Sequence, residues 1–304
     1  MRPEAKFTIS QADVARLIES RFPELSPLSL QVLGEGWDNV AWLVNDEFVF
    51  RLPRRQMGAD CLVGEITVLP HLVGRLPIPF PELLYIGEPS DRFPWPYAGY
   101  RVLEGTPLDE LQVDSATRQP LARTLGEVLR ILHSIPLDEV HSWGTQGDLL
   151  GRMNVPKRIE GSRKLLVEAE AQGALDDAGR WEPILTTAER LQPQDRKQCL
   201  VHGDLYAKHL LVQTDEQGHL SLSGIIDWGD VHLGEPSGDL AAAFSLFAAP
   251  HREELFSAYG PVDEQTSVLA RLRALNHSLH CLLGCGDDEA FRVESRLALD
   301  HLLT

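Results

Sequence analysis

The sequence predicts an α+β protein in two lobes, a small antiparallel-sheet lobe over residues 1–103 and a larger, mainly helical lobe over 104–304. Three observations lead there. Short runs rich in Val, Phe and Trp crowd the first hundred residues, helical apolar periodicity takes over after Pro107, and one β patch, Leu200 to Ile226, interrupts those helices. A chain of 304 residues, 43% apolar and 24% charged, carries enough core for both lobes, and a cleft between them is the expected ligand site.

The elements follow in order. Ser10 is a natural N-cap, Asp13 suits the first turn, and Val14, Leu17 and Ile18 share one face, so the chain opens on a helix. Leu30–Gly34, Val40–Val44 and Phe48–Leu52 read as strands, the last two joined as a hairpin through Asn45-Asp46-Glu47. Glu65 to Leu72 reads as a helix, ended by the prolines from Pro77 to Pro81, and Glu82–Gly87 and Ala98–Leu103 as two further strands. Helices are expected over Leu121–Leu132, Gly161–Gln172, Trp181–Leu191, Leu240–Phe247, Val268–Leu283 and Glu289–Leu302.

Lys and Arg total 28 against 45 Asp and Glu, a net −17 at pH 7. Such a surface repels phosphate polymers and anionic lipid, which argues against nucleic-acid and membrane partners and favours cationic small molecules, although acidity also serves solubility. The longest apolar run, Leu240 to Ala249, is too short to span a bilayer, and no secretory segment follows Met1. Cys61, Cys199, Cys281 and Cys285 form no CxxC pair. The expectation is a soluble, cytoplasmic monomer.

The chemistry concentrates in two places. In Val201-His202-Gly203-Asp204-Leu205-Tyr206-Ala207-Lys208-His209, a glycine-containing loop separates two apolar runs and Asp204 stands where a core strand ends. In Gly224-Ile225-Ile226-Asp227-Trp228-Gly229-Asp230, Asp227 again directly follows an apolar strand. A buried carboxylate costs several kcal/mol unless it is paired or used. Strands joined through Thr214–Gly218 would bring Asp204, His209 and Asp227 toward one mouth, a ligand set suited to Mg²⁺ on a nucleotide.

These two segments resemble the aminoglycoside phosphotransferase (antibiotic kinase) family, relatives of the protein kinases. The resemblance extends to Gly34-Glu35-Gly36-Trp37-Asp38-Asn39 as a nucleotide-covering loop, Phe48 to Arg55 as the third strand and Glu65 as the inserted-helix glutamate. It also includes Leu129 to Pro136 and the segment Glu235-Pro236-Ser237-Gly238-Asp239-Leu240-Ala241. It implies a bilobal protein-kinase-like fold and transfer of the γ-phosphate of ATP or GTP to a hydroxyl of a cationic antibiotic, an aminoglycoside or a macrolide. It further implies Asp204 as the catalytic base and Asp227 and His209 as ligands of Mg²⁺. Arg51, fixed by Glu65, would hold the phosphates with Gly34, Gly36, Asp38 and Asn39, and main chain near Tyr100 and Val102 would meet the purine.

Three departures stand out. His209 replaces the usual Asn, which leaves open direct ligation, ligation through water, or a balance toward Mn²⁺. That variant, with Arg51-Leu52-Pro53-Arg54-Arg55, is similar to macrolide phosphotransferases. Arg51 stands where a phosphate-binding Lys is expected, and the loop lacks the third glycine of G-x-G-x-x-G. Asp230, Glu235, Asp287, Asp288 and Glu289 are candidates for drawing cationic groups, while Asp239 reads as a cap or a brace for the Asp204 loop. His277, His280, Cys281 and Cys285 lie in a leucine-rich helix and read as packing rather than a zinc site. Two other functions share the Asp204 and Asp227 apparatus: a kinase of a metabolite such as an amino alcohol or sugar derivative, and a nucleotide-binding pseudokinase.

Overall fold

A computed structural model describes residues 9–36, 38–191, 196–286 and 288–304. Trp37 and Asp287 lie outside the described residues. The chain divides into two compact units: one of Met1–Arg75, Phe80–Leu103 and Asp227–Val231, the other of Leu76–Pro79, Glu104–Ile226 and His232–Thr304.

The first unit opens on α1 (Gln11–Arg21), whose Ser10 side chain accepts from the Asp13 amide while Val14, Leu17 and Ile18 are buried. The strands β1 (Leu30–Glu35), β2 (Asn39–Val44) and β3 (Phe48–Pro53) follow, then α2 (Gln56–Leu72), β4 (Tyr85–Gly87) and β5 (Tyr97–Arg101). The sheet order is β1-β2-β3-β5-β4, antiparallel throughout. At the β2–β3 turn Asn45 and Asp46 both take φ near +55°, a conformation these short polar side chains tolerate. Asn45 also ties the turn to the preceding segment, accepting from Ser29 N at 2.8 Å and donating to Leu25 O at 2.7 Å. The core joins Val14 and Ile18 to Trp42, Val44, Phe48, Phe50 and Tyr97, so alternate residues of the strands face the helix.

Helix α2 begins at Gln56, well before the expected Glu65. Two glycines, Gly58 and Gly64, weaken the helical signal in its first half. Gly58 is there for contact: a Cβ at that position would lie 2.4 Å from the Asp38 carbonyl oxygen.

The second unit contains β6 (Thr106–Pro107), α3 (Ser115–His133), α4 (Leu137–Ser142), α5 (Val155–Ala171) and α6 (Glu182–Glu189). It continues with β7 (Cys199–Val201), β8 (Leu210–Thr214), β9 (Leu220–Ile225), β10 (His232–Gly234), α7 (Ser237–Leu246), α8 (Ala249–Tyr259), α9 (Glu264–Gly284) and α10 (Glu289–His301). The β patch resolves into two sheets, β6-β8-β9 and β7 with β10. Helix α7 is buried along its whole length, packed against α9, and α3 packs on α8. Sequence periodicity did not reveal α8, because its buried residues are Leu255 and a cation, Arg252. The Arg252 guanidinium donates to the carbonyls of Ala243, Phe247 and His301, tying three helix ends together. Among the described residues no helix is long and apolar enough to cross a membrane.

Candidate active site

In the first unit, the expected phosphate-binding group is buried and doubly paired. Arg51, on β3, donates through Nη1 to Glu65 Oε1 at 2.6 Å and through Nη2 to Asp227 Oδ1 at 2.8 Å. Arg51 is 8% and Glu65 1% exposed, so this is no edge-strand arginine. Burial works against the guanidinium charge, but Glu65 and Asp227 outweigh it and hold its pKa above the usual value. Burial also pushes Glu65 up to about 7 against the pull of Arg51, and among the described residues its buried Oε2 finds no hydrogen-bond partner.

Asp227 takes left-handed backbone angles, φ 59° and ψ 63°, as the chain leaves β9 for the turn Trp228–Asp230. Trp228 is fully buried against Phe80, with ring centroids 5.9 Å apart, and this anchors the turn. Asp230 lies with its Oδ1 3.9 Å from the Cys61 thiol, which burial and that carboxylate push up to about 12.

The glycine loop of this unit is clamped by the two arginines that follow β3. Arg54 donates to Gly36 O at 3.1 Å, and Arg55 pairs with the Asp38 carboxylate. Gly36 N donates to Asn39 O at 2.9 Å, closing the turn. An added Cβ at Gly34 would meet nothing within 4 Å among the described residues. Tyr100 is buried in β5, and burial raises its phenol to about 12. The Val102 amide already donates to Glu47 O at 2.9 Å.

In the second unit, β7 delivers the loop His202-Gly203-Asp204, with Gly203 at φ +85°. Asp239, fully buried in the first turn of α7, accepts from His202 N and Gly203 N, both at 2.8 Å. His133 Nε2 approaches the same carboxylate at 3.1 Å and carries the Tyr259 hydroxyl on Nδ1 at 3.0 Å. Burial raises an acid, yet His133 and the Gly203 amide outweigh it, and Asp239 stays below the normal carboxylate range. This is the brace that the sequence suggested. His202 Nε2 meets Ile226 O at 3.0 Å while its Nδ1 accepts from Asp204 N at 3.3 Å.

The β8–β9 pairing, Leu210 with Ile225, places His209 beside Ile226, whose N–H donates to His209 O at 3.0 Å. The His209 Nδ1 lies 2.7 Å from the Asp204 carbonyl, an acceptor only, so Nδ1 donates to it and Nε2 points away from that bond. Three groups reach Asp204 Oδ1: Arg273 Nη2 at 3.1 Å, Arg152 Nη2 at 3.5 Å and His277 Nδ1 at 3.9 Å. Burial opposes the Asp204 charge, but the permanent cations beside it, Arg152 and Arg273, hold it well below the usual range. Burial and Arg273 push His277 down to about 3, so it is neutral.

Arg152, Arg273 and His277 are the site residues that sequence reasoning missed. The available signal was the i, i+4 spacing of Arg273, His277 and Cys281 on α9, where Cys281 Sγ lies 3.3 Å from His277 Nε2. The acidic candidates of this unit are engaged locally: Glu235 with Arg196 at 2.6 Å, Asp288 with the Phe291 amide at 3.0 Å and Glu289 with Arg292 at 2.8 Å. Among the described residues no group of three or more His, Cys, Asp or Glu is placed to hold a metal ion.

The sequence model of the phosphotransferase enzyme family matches residues 29–275. The chain is 28% identical over 214 residues to the viomycin phosphotransferase of Streptomyces vinaceus, covering 66% of this chain and 67% of that protein. It is similar to the GDP and kanamycin complex of APH(2″)-IIia, with 26% identity, a TM-score of 0.69, and 96% and 98% of the two chains covered. Its fold is also that of a macrolide 2′-phosphotransferase type I, at 20% identity and a TM-score of 0.59 over 96% and 98% of the chains. The α+β architecture is therefore the kinase-like one that the sequence predicted. On a match that spans most of its length, the chain belongs to the phosphotransferase enzyme family and is an O-phosphotransferase.

Proposed function

We propose that this phosphotransferase moves the γ-phosphoryl group of ATP or GTP to a hydroxyl of an aminoglycoside or macrolide antibiotic. The observation that carries the reading is the Arg51 bridge, buried at Glu65 and open at Asp227, whose side chain is 46% exposed, so that a fixed cation and a carboxylate stand side by side at the surface. The relatives named above support the substrate class, and the GDP complex supports a nucleotide co-substrate.

Phosphoryl transfer passes through a loose transition state, so positioning and charge neutralisation supply most of the catalysis. In this reading Asp204 holds the acceptor hydroxyl and takes its proton late. Arg51 carries the positive charge for the phosphates, and main-chain N–H groups around Gly34–Asn39 cover them. A purine at Tyr100–Val102 would meet main-chain groups other than the Val102 amide, which Glu47 already holds.

In this reading Asp227 would offer a carboxylate, and His209 an imidazole nitrogen, to a divalent ion that arrives with the nucleotide, the remaining ligands being phosphate and water, as Mg²⁺ prefers. When bound, Mg²⁺ or Mn²⁺ would offset the negative charge of the phosphates. Asp230 in the first unit and Glu235 in the second are each proposed to draw a cationic group, Glu235 by exchanging its partner Arg196.

The test is phosphate incorporation from ATP and from GTP, separately, into a panel of aminoglycosides and macrolides, with wild type and Asp204→Ala. Transfer to none of them, with transfer to an amino alcohol or sugar derivative instead, would replace this reading by the metabolite kinase. Equal nucleotide turnover in wild type and Asp204→Ala would leave only a binding module.

A further inference from the structure

The loop carrying Asp204 is fixed at its backbone by Asp239, through the amides of His202 and Gly203. Those bonds set where the Asp204 main chain lies, but they leave its side-chain torsions open, and the carboxyl torsion of Asp is broad. A base that must meet one hydroxyl needs its carboxylate plane set as well. We propose that Arg273 is the positioning residue for Asp204, pinning Oδ1 so that Oδ2 is the oxygen offered to the acceptor hydroxyl; this rests on the reading of Asp204 as the base.

Arg273 suits that task better than the other two groups near Oδ1. It makes the shortest contact, 3.1 Å, against 3.5 Å for Arg152 and 3.9 Å for His277. It projects from the interior of α9, a 21-residue helix, and is only 5% exposed, whereas Arg152 lies between helices α4 and α5. Its own placement is shared with its helix, since Arg273 Nη1 lies 3.4 Å from His277 Nδ1. Tyr206 packs on His277 with centroids 4.5 Å apart and on His209 at 4.3 Å, closing the other side of the loop.

A guanidinium cannot deprotonate and is planar, so it orients a carboxylate without competing for the acceptor proton. It also weakens Asp204 as a base. That loss is tolerable only where the proton moves late, which is the case in a loose phosphoryl transfer. The juxtaposition therefore favours orientation over basicity.

The experiment uses the full chain with Arg273→Met, Arg273→Lys and Asp204→Asn. Steady-state kinetics are read with ATP and GTP as donors and with kanamycin, viomycin and water as acceptors. Arg273→Met is expected to lower kcat about 100-fold, the scale of a misplaced general base. KM for acceptor and nucleotide should stay within about threefold of wild type, because the interaction acts on the transition state. Arg273→Lys keeps the charge but not the planar fork, and should recover to within about tenfold of wild-type kcat. If Arg273→Met does not fold, the lysine variant carries the test through the same split between kcat and KM.

A kcat within about threefold of wild type, or a loss confined to acceptor KM, overturns the proposal. Asp204→Asn with undiminished transfer would instead overturn the reading of Asp204 itself. A second readout needs no acceptor. Crystal structures of wild type and the Arg273 variants should show the Asp204 carboxylate in one orientation and then rotated. An unchanged carboxylate orientation without the guanidinium overturns the positioning role.

Discussion

Arg51 and Asp227 are 176 residues apart in the chain and 2.8 Å apart in space. The same guanidinium holds Glu65 through its other nitrogen, so one cation serves two carboxylates on different elements of the first unit. A lysine could place its single ammonium near either, but it lacks the planar fork that reaches both at once. The substitution that looked like a departure is therefore compensated locally: a wider head group is matched by a second acidic partner.

Removing that head group should be costly. Arg51→Met leaves Glu65 buried and uncompensated, and breaking a buried pair this way costs about 3–5 kcal/mol. Urea unfolding of the variant checks this, and a loss below about 1 kcal/mol would show that the bridge contributes little. Replacing Glu65 as well, by Gln, should recover part of the loss because no buried charge is then left unpaired.

Asp239 is a structural brace whose loss should be felt at the Asp204 loop. Asp239→Asn replaces one of the two acceptor oxygens by an amide donor, which would face the N–H of either His202 or Gly203. The cost should be about 3 kcal/mol, the scale of a charged hydrogen bond lost in the interior, together with a large drop in phosphoryl transfer. Hydrogen exchange at the Gly203 amide is the specific readout: protection should fall there before it falls in β1 or β2.

Gly58→Ala tests the clamp on the glycine loop. The new Cβ would meet the Asp38 carbonyl at 2.4 Å, a main-chain atom that moves only by shifting the loop. Overpacking of this kind costs about 1–3 kcal/mol. Nucleotide KM should rise several-fold while acceptor KM holds, and parallel changes in both would show that the loop does not serve the nucleotide.

The pH dependence of stability has a definite sign at His277. Its folded pKa, about 3, is below the ordinary 6.5, because burial and Arg273 disfavour the charged ring. Between those values the unfolded chain binds a proton that the native protein refuses, so stability is present above pH 6.5 and drains away as pH falls toward 3. His277→Asn removes this liability. Its stability should fall less steeply than that of wild type across this window, as read by urea unfolding at stepped pH. An equal slope would show that His277 protonates in the native protein.

By itself, the sequence determined what depends on neighbours along the chain. The capped helix after Ser10, the hairpin at Asn45-Asp46, the alternating strands around Phe48 and the two aspartates at strand ends were all legible, because local propensity and burial pattern act over a few residues. The first half of α2 was obscured by its glycines, and α8 by a buried face made with Arg252 instead of an apolar stripe. Tertiary structure alone decided which charges meet. Arg51 finds Asp227, Asp239 finds the amides of His202 and Gly203, and Arg273 finds Asp204, each across a long span of chain. Charge pairing in an interior is selected by desolvation, which penalises every unpartnered ion, and only the packed fold says which ions are desolvated together.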